Sequence, residues 1–597
     1  MKKAGKGNSY FSNDALTVRT ATREWVDGHF DLERMVKEEA DGKLREQDIK
    51  DGHRQYYTRL MVDADLDTTS ALMVAAELMR HPSLGIRLVS PGLAAAAIKR
   101  GGSEEQQQDL ARAMDNNDGM PAGLAFGLTE PNVGSDAFNI TTKAVYDPQK
   151  QTWTITGEKA YITGAQSVKD AGENGFAVIL AQTEVMGQKM GPAAFIVKGD
   201  NPQYSVGPQY DKAGLHGSDT APINLDNCVV SADAMLGWHI IKEYNFQRSG
   251  YAKVKKVMKA TLETTRPYVA ALALGIAQAA YDRALKFASD AMERRIDGKA
   301  LTQFETMRHK LAEIRAEIEA VGQLVYSTGP KLDKILAGEK DGFDVEEGSM
   351  AKWMAADLAV RVTRASSEIL GGLGYMNESG APVYRHAAEV FTVWEGTEPI
   401  QLETISKVLT REQEVQSQGE TTGKTYQITG ITLDENVIPQ HNDAKGYFQL
   451  MRTAIIVYNL ALESAVNLNV FDREDVTVGK DKTIRRLKAD GQSTRHNLAR
   501  MRSKIQAGLE VGRYAVATED DDHIAMATWY ARSITNEIII NAGEICSESR
   551  DQGALSRVLD GHRGIVNNGT KTRKELLDDI AGTMDNFKLQ PSARFYN

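Results

Sequence analysis

Cysteine is nearly absent: the 597 residues hold two, Cys228 and Cys546. One pair cannot staple a disulfide framework, and no His/Cys spacing has the rhythm of a zinc site. Basic runs are missing too. Lys+Arg at 71 against Asp+Glu at 81 gives a formal charge of −10, which argues against nucleic acid as a partner. Long apolar stretches are also lacking. The longest, Val269 to Ala280, is interrupted by Gly275 and Gln278 and is too short to span a bilayer. The opening Met1-Lys2-Lys3-Ala4-Gly5-Lys6-Gly7 is basic, but no apolar signal-peptide core comes after it. The expected compartment is therefore the cytoplasm. What remains is an ordinary globular composition, 42% hydrophobic and 25% charged, in a chain too long for one core.

Periodicity divides the chain. Residues 1–119 are polar and mixed, with helical periods around Leu60–Leu78 and an alanine-rich run Gly92–Lys99, and they read as an N-terminal helical domain. Short β-branched and aromatic runs punctuated by Gly come next: Trp153 to Gly157, Lys159 to Thr163, Phe176 to Gln182, Ala193 to Val197 and Ile223 to Val230. They predict a small antiparallel β-barrel or sandwich over 120–236. From 237 to 410 the period is helical again. Leu311, Ile314, Ile318, Val321 and Val325 draw one apolar stripe; Met354, Leu358, Val362, Ala365 and Ile369 draw another. These predict an antiparallel helical bundle. Residues 411–446 read as a linker. Leu450, Ala454, Val457 and Ala461 open a further helical domain over 447–597. The fold class expected is mainly α with a central β domain.

Two glycine-rich segments are decoys. Gly419 to Thr425 imitates a phosphate loop but is one residue short between its glycines and has no buried strand in front, so a flexible linker is the better reading. Gly371-Gly372-Leu373-Gly374 has neither the strand nor the spacing of a dinucleotide fingerprint, and reads as a helix end with a tight turn after it. A sharper signal is Gly127-Leu128-Thr129-Glu130-Pro131-Asn132-Val133-Gly134-Ser135-Asp136. Hydroxyls, a rigid Pro and a permissive Gly here can present N–H and O–H groups to a planar or anionic ligand. From composition alone, a well-capped surface turn is the first reading.

Together with five motifs downstream, that loop resembles the acyl-CoA dehydrogenase family. After Leu-Thr-Glu-Pro-x-x-Gly-Ser-Asp come Ile155-Thr156-Gly157-Glu158-Lys159, Tyr161-Ile162-Thr163, Thr264-Thr265-Arg266-Pro267 with Ala273 to Ala277, Leu370 to Tyr375, and Trp394-Glu395-Gly396-Thr397. The resemblance is clear over about 120–410, the motifs falling in the family's order. It is weak before residue 119, where the usual Gly-Gly-x-Gly element is missing. The extra C-terminal helical domain is similar to that of longer bacterial members, including those acting on methylmercaptopropionyl-CoA. The fold implied is an α-helical domain, a small antiparallel β-barrel and a four-helix bundle, with an extra helical domain appended.

The resemblance implies removal of a proton next to a thioester and of a hydride from the adjoining carbon. It makes Glu395 the base. An apolar run, Val390-Phe391-Thr392-Val393-Trp394, precedes Glu395, a setting expected to raise a carboxylate's proton affinity. Without the flanking motif, a helix-end carboxylate would be the plainer reading. Some members carry the base on the helix of Thr264-Thr265-Arg266; the corresponding residue here is Thr265, which cannot serve. Carried over by position, Phe126, Leu128, Thr129, Ser135, Tyr161, Ile162 and Thr163 would line the flavin of FAD. Ser135, Glu263, Arg266 and Gly396 would meet the acyl-CoA thioester. Arg294, Gly371, Gly372 and Thr397 would contact the diphosphate and adenine half, partly across a subunit boundary, which implies a homo-oligomer, dimer or tetramer. Departures cluster in this last group. Asp297, Glu305 and Glu368 replace neutral residues and would repel a diphosphate unless paired with Arg294 or Arg295. The electron acceptor implied is an electron-transfer flavoprotein. An acyl-CoA oxidase, an enoyl-CoA reductase and a flavin-poor scaffold are the alternatives.

Overall fold

The computed structural model describes residues 11–57, 66–115, 123–137, 139–245, 247–290, 296, 298–339 and 345–416. Beyond these it describes 450–451, 454–455, 458, 461, 473–478, 482–487, 492–518 and 520–548. Two compact units emerge, one of residues 17–276 with 372–391, the other of residues up to 16 with 277–371 and 392 onward. Among the described residues no helix is long and apolar enough to cross a membrane.

The first unit is built on one sheet of β1 (Leu124–Gly127), β2 (Lys143–Asp147), β3 (Thr152–Thr163), β4 (Phe176–Val185), β5 (Gln188–Lys198), β6 (Tyr204–Val206) and β7 (Thr220–Ser231). The order is β1-β4-β2-β3-β7-β6, with β5 on β4. The pairing is mixed where only antiparallel pairs were expected: β1 and β2 both run parallel to β4, β1 along its first half and β2 along its second. Alternation in β3 buries Trp153 and Ile155 between more exposed threonines. Trp153 anchors the core, its ring 4.9 Å from Tyr146, 5.1 Å from Phe195 and 5.9 Å from Trp238.

Helices surround this sheet. The helix Thr68–Leu78 starts where Asp67 accepts from the Ser70 N–H, and every one of its residues is buried. Its Glu77 takes Arg19 at 2.7 Å and Arg23 at 2.9 Å. Against it runs the first part of the long helix Arg248–Ser289. A Cβ on Gly275 would stand 2.0 Å from the Ala76 carbonyl oxygen, so only glycine permits this backbone approach.

In the second unit, Glu305–Tyr326 packs on Val345–Leu370, and Val345–Leu370 on Glu398–Gln416. The expected stripes face inward: Leu311, Val321, Val325, Leu358 and Val362 are all buried. Glu398–Gln416 extends past the expected end near 410; residues 417–446 of the expected linker, including the Gly419–Thr425 decoy, lie outside the described residues. The helices Gln492–Thr518 and Asp521–Glu548 pack on each other and on Glu305–Tyr326. Arg502 of the former ion-pairs with Glu346 inside the bundle. A two-stranded hairpin, Arg473–Val478 with Lys482–Leu487, interrupts the expected all-helical region.

Candidate active site

The Gly127–Asp136 loop leaves β1 and doubles back on itself, Glu130 and Val133 exchanging backbone hydrogen bonds of 3.0 and 3.1 Å. Glu130 points inward. Its carboxylate accepts from the Thr141 and Thr142 N–H groups at 2.6 and 2.9 Å, from both threonine hydroxyls at 2.6 Å, and from Lys159 Nζ at 2.9 Å. Burial alone would raise the Glu130 carboxyl; Lys159 and the threonines outweigh it and hold it down to about 2. Burial draws Lys159 down to about 8, leaving it charged at neutral pH. Lys159 also donates to the Leu128 carbonyl at 3.2 Å, and the Ala160 N–H donates to the Thr129 carbonyl at 2.9 Å. The loop is thereby fastened to β3 by its inner face. Sequence reasoning carried Glu130 and Lys159 only as motif letters and missed their pairing, although a charged pair inside matching motifs was the available signal.

Phe126, Leu128 and Val133 are partly buried and pack on the apolar cluster beneath the loop. Ser135 is exposed, while Thr129 and Thr163 are half-buried. Among the described residues none of these three hydroxyls has a hydrogen-bond partner. Tyr161 is 63% exposed and takes φ 61°, left-handed backbone that an L residue rarely adopts within a strand. The β3–β7 register shifts at this point, and the Tyr161 ring lies 5.0 Å from that of Tyr210. Ile162, by contrast, is packed into the sheet core, so its backbone rather than its side chain is what it offers a ligand.

On the long helix, Glu263 and Arg266 are half-buried, and Glu263 pairs with Lys259 at 3.3 Å. Thr265 is buried with its hydroxyl donated to the Leu262 carbonyl at 3.1 Å. Pro267 sits inside the helix, where it cannot donate to the Glu263 carbonyl. After Leu370 the chain forms a 3-10 turn, Gly371–Tyr375, with Gly371 at φ 63°, as expected of a helix end and tight turn. Gly371 and Gly372 are exposed.

In the second unit, Glu395 and Gly396 both take positive φ, 48° and 104°. The Gln401 side-chain N–H₂ reaches back to the Glu395 and Gly396 carbonyls, each at 3.0 Å. The buried Lys352 ammonium donates to the same Gly396 carbonyl at 2.6 Å. Thr397 closes the helix start, its carbonyl accepting from Ile400 at 3.0 Å and Gln401 at 3.1 Å. At the first residue of that helix, the Glu398 carboxylate receives Trp353 Nε1 at 3.1 Å and Arg500 at 3.1 Å. Lys352, Gln401, Trp353 and Arg500 were not found by sequence reasoning.

Of the acidic departures, Glu368 is paired, with Lys310 at 2.8 Å and Arg364 at 3.5 Å. Lys310 above all holds its carboxyl below the usual range. Among the described residues its charge is met by these two. Glu305 is exposed in the first turn of its helix. Arg294, Arg295 and Asp297 lie outside the described residues.

Residues 125–228 match the family model of the acyl-CoA dehydrogenase middle domain, and residues 255–410 that of the acyl-CoA dehydrogenase C-terminal domain. A short-chain specific acyl-CoA dehydrogenase of Megasphaera elsdenii is 32% identical over 350 residues, 58% of this chain and 82% of that one. A subunit of the caffeyl-CoA reductase-Etf complex of Acetobacterium woodii is 28% identical over 407 residues, 67% of this chain and 99% of that one. An acyl-CoA dehydrogenase of Bacillus anthracis, solved with FAD, has the same fold at 18% identity. It reaches a TM-score of 0.76 over 97% of this chain and 96% of its own. The loop, the turn and these matches agree, and the chain belongs to the acyl-CoA dehydrogenase family.

Proposed function

We propose that this chain is an FAD-dependent enzyme that converts a saturated acyl-CoA to its 2-enoyl-CoA, with Glu395 as the base. The observation that carries the reading is the Glu395–Gly396 turn. A carboxylate is held there in left-handed backbone by dedicated donors, which a mere helix-end residue does not require. Thr265, with its hydroxyl turned to its own helix, leaves no competing carboxylate at the alternative position.

The residues present suit FAD. The partly buried Phe126 and Leu128, the exposed Tyr161 and the hydroxyls of Thr129, Ser135 and Thr163, unengaged among the described residues, offer a platform and donors to a heteroaromatic ring. When bound, FAD supplies the hydride acceptor. The chain's own part begins with Ser135, Glu263 and Arg266 binding the CoA thioester. The Glu395 N–H holds the thioester oxygen, so that charge developing there is stabilised, and its carboxylate removes the adjacent proton. Gly371, Gly372 and Thr397 take the far half of the cofactor. Electrons leave to an electron-transfer flavoprotein, and the enzyme works in the cytoplasm as a dimer or tetramer. Glu395→Gln should keep the yellow flavin yet abolish its bleaching by substrate; a variant that still turns over sinks the assignment.

The similarity to a caffeyl-CoA reductase complex subunit favours a second reading, the same chemistry run towards the saturated thioester. Turnover of a 2-enoyl-CoA with reduced electron-transfer flavoprotein, faster than the forward reaction, would select it.

A further inference from the structure

The turn that carries Glu395 contains two successive left-handed residues, and for Glu395 at φ 48° the Cβ crowds its own carbonyl. Such backbone persists only where its surroundings impose it. Here they do so through carbonyl oxygens. Gln401 spans from the first turn of the next helix to both the Glu395 and the Gly396 carbonyls. Lys352 comes from the third turn of the Val345–Leu370 helix, 1% exposed, and places its ammonium 2.6 Å from the Gly396 carbonyl. Burying an ammonium costs far more than burying an apolar chain of the same length. Filling space is therefore no reason for a lysine at this position. Its product is a short, charge-assisted hydrogen bond that fixes one peptide plane. Gly396 completes the fit, since a Cβ there would meet Gln401 Nε2 at 2.6 Å.

We propose that Lys352 and Gln401 are positioning residues that clasp the Glu395–Gly396 turn and so set the direction of both the Glu395 N–H and its carboxylate. The inference rests on the reading of Glu395 as base. Neither residue touches substrate; each acts through the backbone that carries the base.

The test uses full-length flavoprotein with Lys352→Met, Gln401→Met and Glu395→Gln. A clasp predicts that Lys352→Met lowers kcat on the order of 100-fold, the scale of a misplaced reacting group, while KM and flavin content stay near wild type. It also predicts weaker binding, by a similar factor, of a 3-oxoacyl-CoA, which is held as its enolate without turnover and read by its absorbance with flavin. Unchanged kcat and enolate binding in Lys352→Met would overturn the proposal. So would a variant in which kcat, flavin content and melting temperature fall together, the mark of a structural lysine. Should Lys352→Met fail to fold, Gln401→Met removes a neutral donor and carries the same two readouts. Turnover retained by Glu395→Gln would instead refute the base itself.

Discussion

Lys159 Nζ lies 2.9 Å from Glu130 Oε1, with both side chains shut off from solvent. A buried pair of this kind is costly to break from one side, because the survivor keeps its charge without its partner. Lys159→Met is therefore expected to lower the unfolding free energy by about 3–5 kcal/mol. It should also loosen the Leu128 peptide and weaken flavin retention. Adding Glu130→Met removes the stranded charge but leaves the Thr141 and Thr142 donors without their acceptor, so the double variant should recover only part of the stability and none of the flavin affinity. Denaturant titration and the flavin-to-protein ratio measure the two separately.

Acid should attack the first unit through its carboxylates. Glu77, set between Arg19 and Arg23, and Glu130 are each held down to about 2 from an ordinary 4.5. A depressed carboxylate contributes stability that is complete above its unfolded value and lost as pH falls toward its folded one. Each shift corresponds to roughly 3 kcal/mol. The contribution of these two carboxylates should therefore be constant above about pH 5 and be lost steeply between about pH 5 and 2. Glu77→Gln should flatten that fall while lowering the neutral-pH plateau.

Arg500 and Glu398 are partly exposed, so Arg500→Ala should cost no more than about 1 kcal/mol. Trp353 still donates to Glu398 in that variant, and kcat should stay within about threefold. Glu398→Ala removes the acceptor from both donors and should cost more in each measurement.

Gly275→Ala forces a methyl against the Ala76 carbonyl, a backbone atom that cannot swing aside. We expect destabilisation of about 1–3 kcal/mol or more, read as a lower midpoint in urea, with the helix Arg248–Ser289 displaced rather than unfolded.

How much of this was legible depended on range along the chain. The stripe Leu311, Val321 and Val325 could be read because helical burial repeats within a turn or two, and all three are buried. Leu450, Ala454 and Ala461 are buried for the same reason. The loop from Thr129 to Ser135 and the Trp394–Thr397 turn could be read because their side chains are close neighbours in sequence. Lys352 could not. It meets Gly396 across 44 positions, and nothing in the spacing of a buried-helix lysine foretells a carbonyl there. The parallel pairing of β1 and β2 with β4 was hidden likewise, since strand partners are chosen by tertiary register. The hairpin at 473–487 was locally visible. Its Val-Thr-Val alternation ahead of Gly479 is a two-residue period that a helical reading of the region passed over.

Because Gln401 returns to the Glu395 and Gly396 carbonyls, the stretch from 395 to 401 is a closed ring of main chain and one amide side chain. For anyone diversifying this enzyme, that ring is a cassette with a fixed length. Val393 and Trp394 lie just outside it, so substitution there leaves the ring's length unchanged. One residue inserted or removed within it would disengage the amide and turn the carboxylate away.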